Sequence, residues 1–477
     1  MVTELERQTT HGVIWNLIEK IGLQATRFII VVILARLISP EEFGLIGMIM
    51  VIFAIAQVMV EAGLGSAYIQ KKDANNLDAN TVFYTNLSIS ILIYTFVWFG
   101  APAVAGFYNI PELLNLTRVM GSIFVINSFG VIHQAKLRRA VNFKAKALVN
   151  VIANVSSGFL AIVAAIYGMG VWSIVLQFIS LNMINVVGLW LVVRWKPSLL
   201  FSYQSLREMF SFGIWMLATN ILATLTNSLY ILTIGKLFPV AQVGYYTKAK
   251  QFQQMGSEQI SQAISGVAFP VLSKIRDNEE KIRRGLNRFL TLSLVIVAPI
   301  MVSLLVGADP IVRILLTEKW LPIVPYLRIL SFVGILYPIH LVNLQLLFSL
   351  GRSDLNFRLT IVIIVMKVIN VLITAPYGVL YILIGEMVVS LLTLGVSTFY
   401  TKRLVRYGLL RQLSDLKSIM LSILISTLGA LGIVNLIDNL LVSVLMLSTF
   451  VFLIFILVQT VMNRQLITDL KEIFFKP

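Results

Sequence analysis

Apolar runs of roughly 20 residues recur from one end of the chain to the other, each long enough to cross a hydrocarbon core as a helix. They exceed strand length and are rich in Leu, Ile, Val, Met and Gly, so the period is helical. The runs predict spans at 12–38, 43–64, 79–101, 113–135, 146–168 and 170–193, then at 209–235, 247–272, 284–307 and 323–349, and finally at 356–375, 378–401, 416–437 and 440–462. An all-α polytopic membrane protein of about fourteen transmembrane helices is the fold class these spans imply.

Composition strengthens that picture. Hydrophobic residues make up 58% of the 477 and charged residues only 13%, too few polar groups to coat a water-soluble surface. The net charge of +16 raises nucleic acid as a partner, but the basic residues are not gathered into one patch. They alternate from loop to loop. One side holds Lys71, Lys136, Arg138, Arg139, Lys144, Lys146, Arg194, Lys196, Arg207, Lys274, Arg276, Lys281, Arg283, Arg284, Arg352, Arg358, Lys402, Arg403, Arg406, Arg411 and Lys417. The other side holds little beyond Lys236, Lys248, Lys250, Arg313 and Lys319. By the positive-inside rule the richer side is cytoplasmic, and both termini lie there. The chain has no cysteine, which excludes disulfides and thiolate chemistry. Residues 1–11 lack the basic stretch of a cleavable signal, so the first span is expected to stay in the mature protein.

Laid against itself at an offset of 200 residues, the chain aligns its first span with its seventh. Trp15 meets Trp215, Arg36 meets Lys236, Leu37 meets Leu237 and Gly44 meets Gly244. Agreement at one offset and one topological place argues for an internal duplication. The expected lobes are 1–200 and 201–405, joined through a basic linker at 194–208, with 406–477 adding spans 13 and 14 and a cytoplasmic tail. Six spans per half is even, so the halves share an orientation. Span 2 has a start signal of its own: Ser39 as N-cap, Pro40 at the first helical position and Glu42 as the reciprocal partner of a capping box.

An ionisable group at the bilayer centre costs on the order of 3 kcal/mol and needs a partner, a wet cavity or a function. Span 1 places Asn16, Lys20, Gln24 and Arg27 within about 80° of arc, with Glu19 beside them. Span 8 does the same with Gln251, Gln254, Glu258, Gln262 and Ser265. Span 7 adds Asn220, Thr224 and Asn227, and span 2 adds Gln57 and Glu61. A lone polar residue in a membrane helix serves most often as interhelical glue. Four polar stripes on the first two spans of each half favour a hydrated cavity, in which Lys20 and Arg27 attract an anionic group and Glu258, Glu61 or Glu19 handles an ion or a proton.

Lys367 and Glu386 fall at one depth across a tight turn at 375–378. A structural salt bridge is the favoured reading and an ion-coupling pair the alternative. His340, just past Pro338, is expected to cap a kinked backbone. No phosphate loop, metalloprotease helix or nucleophile elbow is present, so nothing marks the chain as an enzyme, and no cofactor or metal is expected beyond a coupling H+ or Na+.

The stretch Ala35-Arg36-Leu37-Ile38-Ser39-Pro40-Glu41-Glu42-Phe43-Gly44, with Glu61-Ala62-Gly63-Leu64-Gly65-Ser66-Ala67 and the six-plus-six-plus-two plan, resembles the Wzx-type polysaccharide flippases. These belong to the multidrug/oligosaccharidyl-lipid/polysaccharide exporter superfamily, and the branch that exports colanic or teichuronic acid looks nearest. The resemblance implies a V-shaped pair of six-helix bundles working by alternating access in the bacterial cytoplasmic (inner) membrane. It implies as substrate an undecaprenyl-pyrophosphate-linked oligosaccharide, with Lys20 and Arg27 on the pyrophosphate and the Asn, Gln and Thr side chains on sugar hydroxyls. Membrane lipid surrounds it, the polymerase and chain-length proteins of the pathway are expected partners, and nucleic acid is not. Related lipid II flippases carry an arginine on helix 8 where this chain has Glu258 and glutamines, which argues against lipid II. An ion-coupled small-molecule antiporter of the same superfamily and a membrane-embedded polysaccharide polymerase remain the alternatives.

Overall fold

The computed structural model describes residues 22–462 apart from 62, 63, 72, 141 and 438. Helices α1 (22–37), α2 (Pro40–Glu61), α3 (Leu64–Gln70), α4 (Asn76–Tyr108), α5 (Glu112–Arg139), α6 (Phe143–Ile166), α7 (Val171–Val193) and α8 (Tyr203–Leu237) come first. Then follow α9 (Val240–Gln253), a π turn at Gln254–Glu258, α10 (Gln259–Lys274), α11 (Glu279–Val306) and the short α12 (Ala308–Leu315). The chain ends with α13 (Val324–Ser349), α14 (Ser353–Thr374), α15 (Val379–Val405), α16 (Leu409–Asp415), α17 (Lys417–Leu436) and α18 (Leu440–Met462).

Each predicted span meets one of these helices, and no strand occurs among the described residues. Eleven of the described helices are long and apolar enough to cross a membrane. Their outward faces are oily: on α14 alone Ile361, Val365, Ile369, Leu372 and Ile373 are exposed, as lipid-facing residues must be. The chain is a multi-pass membrane protein. One boundary corrects the sequence reading. Helix α9 begins at Val240 rather than near 247, and Lys248 and Lys250, counted above with the loop cations although they fall inside the predicted span, are helical residues. Lys248 is buried there, with its Nζ donating to Gln251 Oε1 at 3.3 Å. The polar run Gly244-Tyr245-Tyr246-Thr247 had masked the helix from a hydropathy reading.

The chain divides into two compact units, 1–244 and 245–477. Unit 1 keeps the segment after α7 through a strap of hydrogen bonds. Asn80 donates from Nδ2 to Ser198 Oγ at 2.9 Å and accepts from the Ser198 N–H at 2.7 Å, while Trp195 Nε1 donates to Asn76 Oδ1 at 2.7 Å. Ser202 N–H donates to Thr81 Oγ1 at 3.1 Å, and the Lys136 ammonium sits 4.8 Å over the Trp195 ring. His133, fully buried, stacks on Trp190 with 4.7 Å between ring centroids and reaches the Trp195 carbonyl. Fastened this way, the segment delivers α8 against α2 and α4.

Unit 1 brings two similar segments together. Residues 31–40 and 231–240 show the same sequence of states: helix through 37 and 237, a two-residue break, and a new helix at Pro40 and Val240. The two new helices cross at equivalent points. A Cβ on Gly44 would overlap the Val240 carbonyl, and a Cβ on Gly244 would overlap the Pro40 carbonyl. Pro40 pairs with Val240 and Gly44 with Gly244 at the 200-residue offset, so the contact is reciprocal, as in an isologous interface. The capping box forms as expected: Ser39 N–H donates to Glu42 Oε2 at 2.9 Å and Glu42 N–H to Ser39 Oγ at 3.3 Å. Glu42 Oε1 also accepts from the Val171 N–H at 2.9 Å, tying the start of α7 to the start of α2.

Unit 2 packs α10, α11, α13 and α15 around Leu286, Leu290, Val297, Met301 and Leu346. Helix α17 adds Ile419 and Ala430 to the same core and α18 adds Leu447, Val451 and Phe455, and the two are joined by a polar seam, in which Ser418 Oγ donates to Gln459 Oε1 at 3.3 Å and Gln459 Nε2 to Ser422 Oγ at 3.1 Å.

The glycine crossing makes a prediction. Gly44→Val or Gly244→Val is expected to lower stability by about 1–3 kcal/mol, because backbone on the far side cannot yield. Gly432→Ala, with open space at its Cβ, is expected to stay neutral or to stabilise slightly. Thermal unfolding of the three purified variants, followed by size-exclusion chromatography in detergent, reads the contrast.

Candidate functional site

In unit 1 the observed polar centre is built around Arg27 on α1. Its Nε donates to Asn154 Oδ1 on α6 at 3.2 Å. Asn154 Nδ2 donates to the Asn150 carbonyl at 2.9 Å, and Asn150 Oδ1 accepts from Asn185 Nδ2 on α7 at 2.6 Å. Arg27 is exposed while Asn154 is buried. The amide chain thus anchors the guanidinium from behind and orients its planar fork, the geometry suited to a bidentate oxyanion. Asn150, Asn154 and Asn185 were not singled out from the sequence. Each is an isolated amide within an apolar helix, and only the packing of α6 and α7 against α1 puts them in line.

The other residues of unit 1 are placed as follows. Gln24 and Gln57 are half-buried on α1 and α2, Thr224 is half-buried on α8, and Asn227 is exposed there. Asn16, Glu19 and Lys20 lie outside the described residues. Glu61 and Asn220 are helical, with side chains outside the description.

In unit 2 the π turn decides the site. At 100° per residue Glu258 would lie about 80° from Lys250, eight residues earlier. A π turn advances roughly 20° less per residue, so the five residues Gln254–Glu258 bring Glu258 back to within about 20° of Lys250. The two meet: Lys250 Nζ is 3.1 Å from Glu258 Oε1. The turn is held open by contacts with its neighbours. Ser257 Oγ donates to the Gly334 carbonyl of α13 at 2.6 Å, and Gly256 leaves room for Met301 of α11. The straight-helix stripe is split accordingly. Gln254 and Gln262 are exposed, Gln251 is half-buried, and Ser265 turns inward and is buried. The side chain of Gln262 lies near Tyr337 on α13.

Lys250 also lies 4.0 Å from Glu386 Oε1 on α15. Lys367 of α14 lies within Coulombic reach of Glu386, Lys250 and Glu258. The α14–α15 hairpin sets this register. Buried Asn370 fills the space beside Gly385 and donates from Nδ2 to the Ile382 carbonyl at 3.1 Å, which puts Lys367 and Glu386 on either side of one crossing. The pair read from the sequence is therefore part of a four-member cluster whose missing member, Lys250, had been assigned to a loop. His340 does not cap the backbone: its Nε2 meets Ser390 Oγ on α15 at 3.1 Å.

Comparison with known proteins bears on what these sites serve. A family model described as polysaccharide biosynthesis protein matches residues 33–325. The chain belongs to that family. Its relatives include the teichuronic acid biosynthesis protein TuaB of Bacillus subtilis, 27% identical over 357 residues and 74% of each chain. Another is the succinoglycan biosynthesis transport protein ExoT of Rhizobium meliloti, 26% identical over 70% of this chain and 67% of the relative. Among solved structures, the lipid II flippase MurJ in an inward closed conformation matches 96% of this chain and 100% of its own, with a TM-score of 0.77 at 15% identity. An inward-facing multidrug transporter of the same superfamily matches 81% of this chain and 96% of its own with a TM-score of 0.63 at 18% identity. These likenesses show that the chain has the fold of these two transporters.

The charge cluster can be tested for its contribution to folding. Lys250→Met leaves two carboxylates facing each other without their shared ammonium and is expected to destabilise by on the order of 2 kcal/mol. Adding Glu258→Gln to it is expected to restore about half of the loss. Thermal melts of the two single variants and the double, completing the cycle, give the coupling.

Proposed function

We propose that the protein translocates a polyprenyl-pyrophosphate-linked oligosaccharide, assembled at the cytoplasmic face, to the outer face of the bacterial cytoplasmic membrane for surface polysaccharide synthesis. The observation that carries this is family membership over residues 33–325 on a fold shared with a lipid II flippase over 96% of the chain. The family supplies the pathway, and the fold supplies transport of a lipid-linked sugar rather than its chemical synthesis. The chain then acts as a transporter, not an enzyme, with repeats at 1–200 and 201–405, an added region at 406–477 and both termini cytoplasmic, in keeping with the charge asymmetry of its loops.

Arg27 is the residue assigned to the pyrophosphate, with Lys20 beside it. A guanidinium anchored through Nε on Asn154 presents its terminal nitrogens to phosphate oxygens, and a diphosphate offers the charge and the paired acceptors that such a fork fits. Gln24, Gln57, Asn220, Thr224, Asn227, Gln251, Gln254 and Gln262 are assigned to sugar hydroxyls, while Glu258, Glu61 and Glu19 are the acidic groups for ion coupling. The polymerase and chain-length proteins of the pathway are the expected partners, receiving the substrate after it crosses.

A deletion strain is expected to accumulate a lipid-linked oligosaccharide on the cytoplasmic side and to lose its surface polysaccharide. Normal polysaccharide together with altered tolerance to cationic drugs would instead identify a small-molecule antiporter. Arg27→Ala is expected to lower export by about tenfold or more at unchanged protein level, the loss of at least one charge-assisted contact, and Arg27→Lys to restore part of it. Export measured as cell-associated polysaccharide per unit of membrane protein reads both, and unimpaired export by Arg27→Ala removes the arginine from the site.

A further inference from the structure

The charge cluster of unit 2 lies on four elements, and its arrangement is uneven. Lys250 holds Glu258 at 3.1 Å but reaches Glu386 only at 4.0 Å. Glu386 is 7% exposed, and its Oε2 is buried with no hydrogen-bond partner among the described residues. One carboxylate is thus firmly paired while the other has half its acceptor capacity unmet in a poorly solvated place. An unmet buried acceptor of this kind calls for an explanation.

Among the described residues, Lys250 of α9 and Lys367 of α14 act on Glu386 directly, Glu258 of the π turn shares Lys250 with it, and on α13 Tyr337 lies near Glu258 while His340 meets Ser390. Arg283, Arg411 and Asp415 lie beside Tyr407, beyond the far end of α15. Two ammonium groups therefore balance two carboxylates. A metal cation entering here would meet both ammonium groups at close range, where like charges repel strongly in a low dielectric. A proton needs no such room. It can bond to Oε2 of Glu386 without breaking any contact the side chain now makes.

We propose that Glu386 is the carboxyl at which this protein takes up and releases a proton, with Lys250 as its tethered counter-ion, and that the cluster takes no metal cation. The assignment rests on the transport reading above and names the ion that accompanies it. Lys250 sits between two carboxylates on different elements. When it settles on Glu258 alone, Glu386 loses one of the two ammonium groups within its reach, Lys367 remaining, and a proton from water neutralises it. When Lys250 returns, the proton leaves to water. Ser390 lies one turn beyond Glu386 on α15 and meets His340 at 3.1 Å, and His340 Nδ1 is itself buried without a partner. Groups able to pass a proton therefore continue along the same face of α15.

The test uses the full chain in lipid nanodiscs and needs no substrate. Infrared difference spectra between alkaline and acidic buffer are expected to show the carbonyl stretch of a protonated carboxylic acid, reversibly, and Glu386→Gln is expected to abolish that band. Should the glutamine variant misfold, Glu386→Asp keeps a carboxyl and is expected to move the band in frequency while retaining it. In parallel, radiolabelled sodium is expected to bind the wild-type protein no more than it binds empty nanodiscs. A wild-type spectrum without the band, or a band unchanged in both variants, overturns the proposal, as does sodium binding that Glu386→Gln removes. These readouts are independent of the lipid-linked sugar, so failure of the transport reading in the deletion strain and failure of the proton site are told apart.

Discussion

Helices dissolved in lipid gain little by burying one apolar face against another, because lipid tails are as oily as leucine. They hold together where small residues let backbones approach and where polar groups find partners. The reciprocal crossing of α2 and α9 at Gly44 and Gly244 is such a place. So is the α14–α15 hairpin, where Asn370 sits against Gly385 and bonds the Ile382 carbonyl, and the π turn, where Ser257 reaches the Gly334 carbonyl. Each joint has a glycine at which a Cβ would collide, with backbone at Gly44 and Gly244 and with neighbouring side chains at Gly385 and Gly334.

The same constraint governs the charges. A lone ammonium in a membrane helix is expensive, whereas one shared between two carboxylates has its charge met inside the protein. Lys250, Glu258, Lys367 and Glu386 form a nearly closed set on that principle. Arg27 illustrates the other solution. It stays exposed and is steadied by uncharged amides on α6 and α7, which orient a cation without neutralising it, so its charge remains available to an anion.

Much of the fold was legible in the sequence. Hydropathy located the apolar helices, because spanning a hydrocarbon core demands a minimum length of unbroken apolar chain. The alignment of Trp15 with Trp215 and Gly44 with Gly244 pointed to a repeat, and Ser39-Pro40-Glu41-Glu42 disclosed the start of α2. The site was legible only in part. Arg27, Glu258, Lys367 and Glu386 stand out as charges in apolar runs, but Lys250 does not, since it sits in a polar stretch that resembles a loop. Asn150, Asn154 and Asn185 carry no signal at all, being single amides of a kind that usually serve as glue.

The sequence by itself determined the solvent and the helical class, since these follow from local composition. Tertiary structure alone decided which polar groups meet. A π turn held open by contacts with α11 and α13 rotates Glu258 toward Lys250, and a helical wheel drawn on a straight helix cannot contain a rotation that neighbouring helices impose. Which residue becomes the partner of a buried charge depends on that rotation and on the register of α14 against α15, and both are properties of packed backbones rather than of the order of residues along one helix.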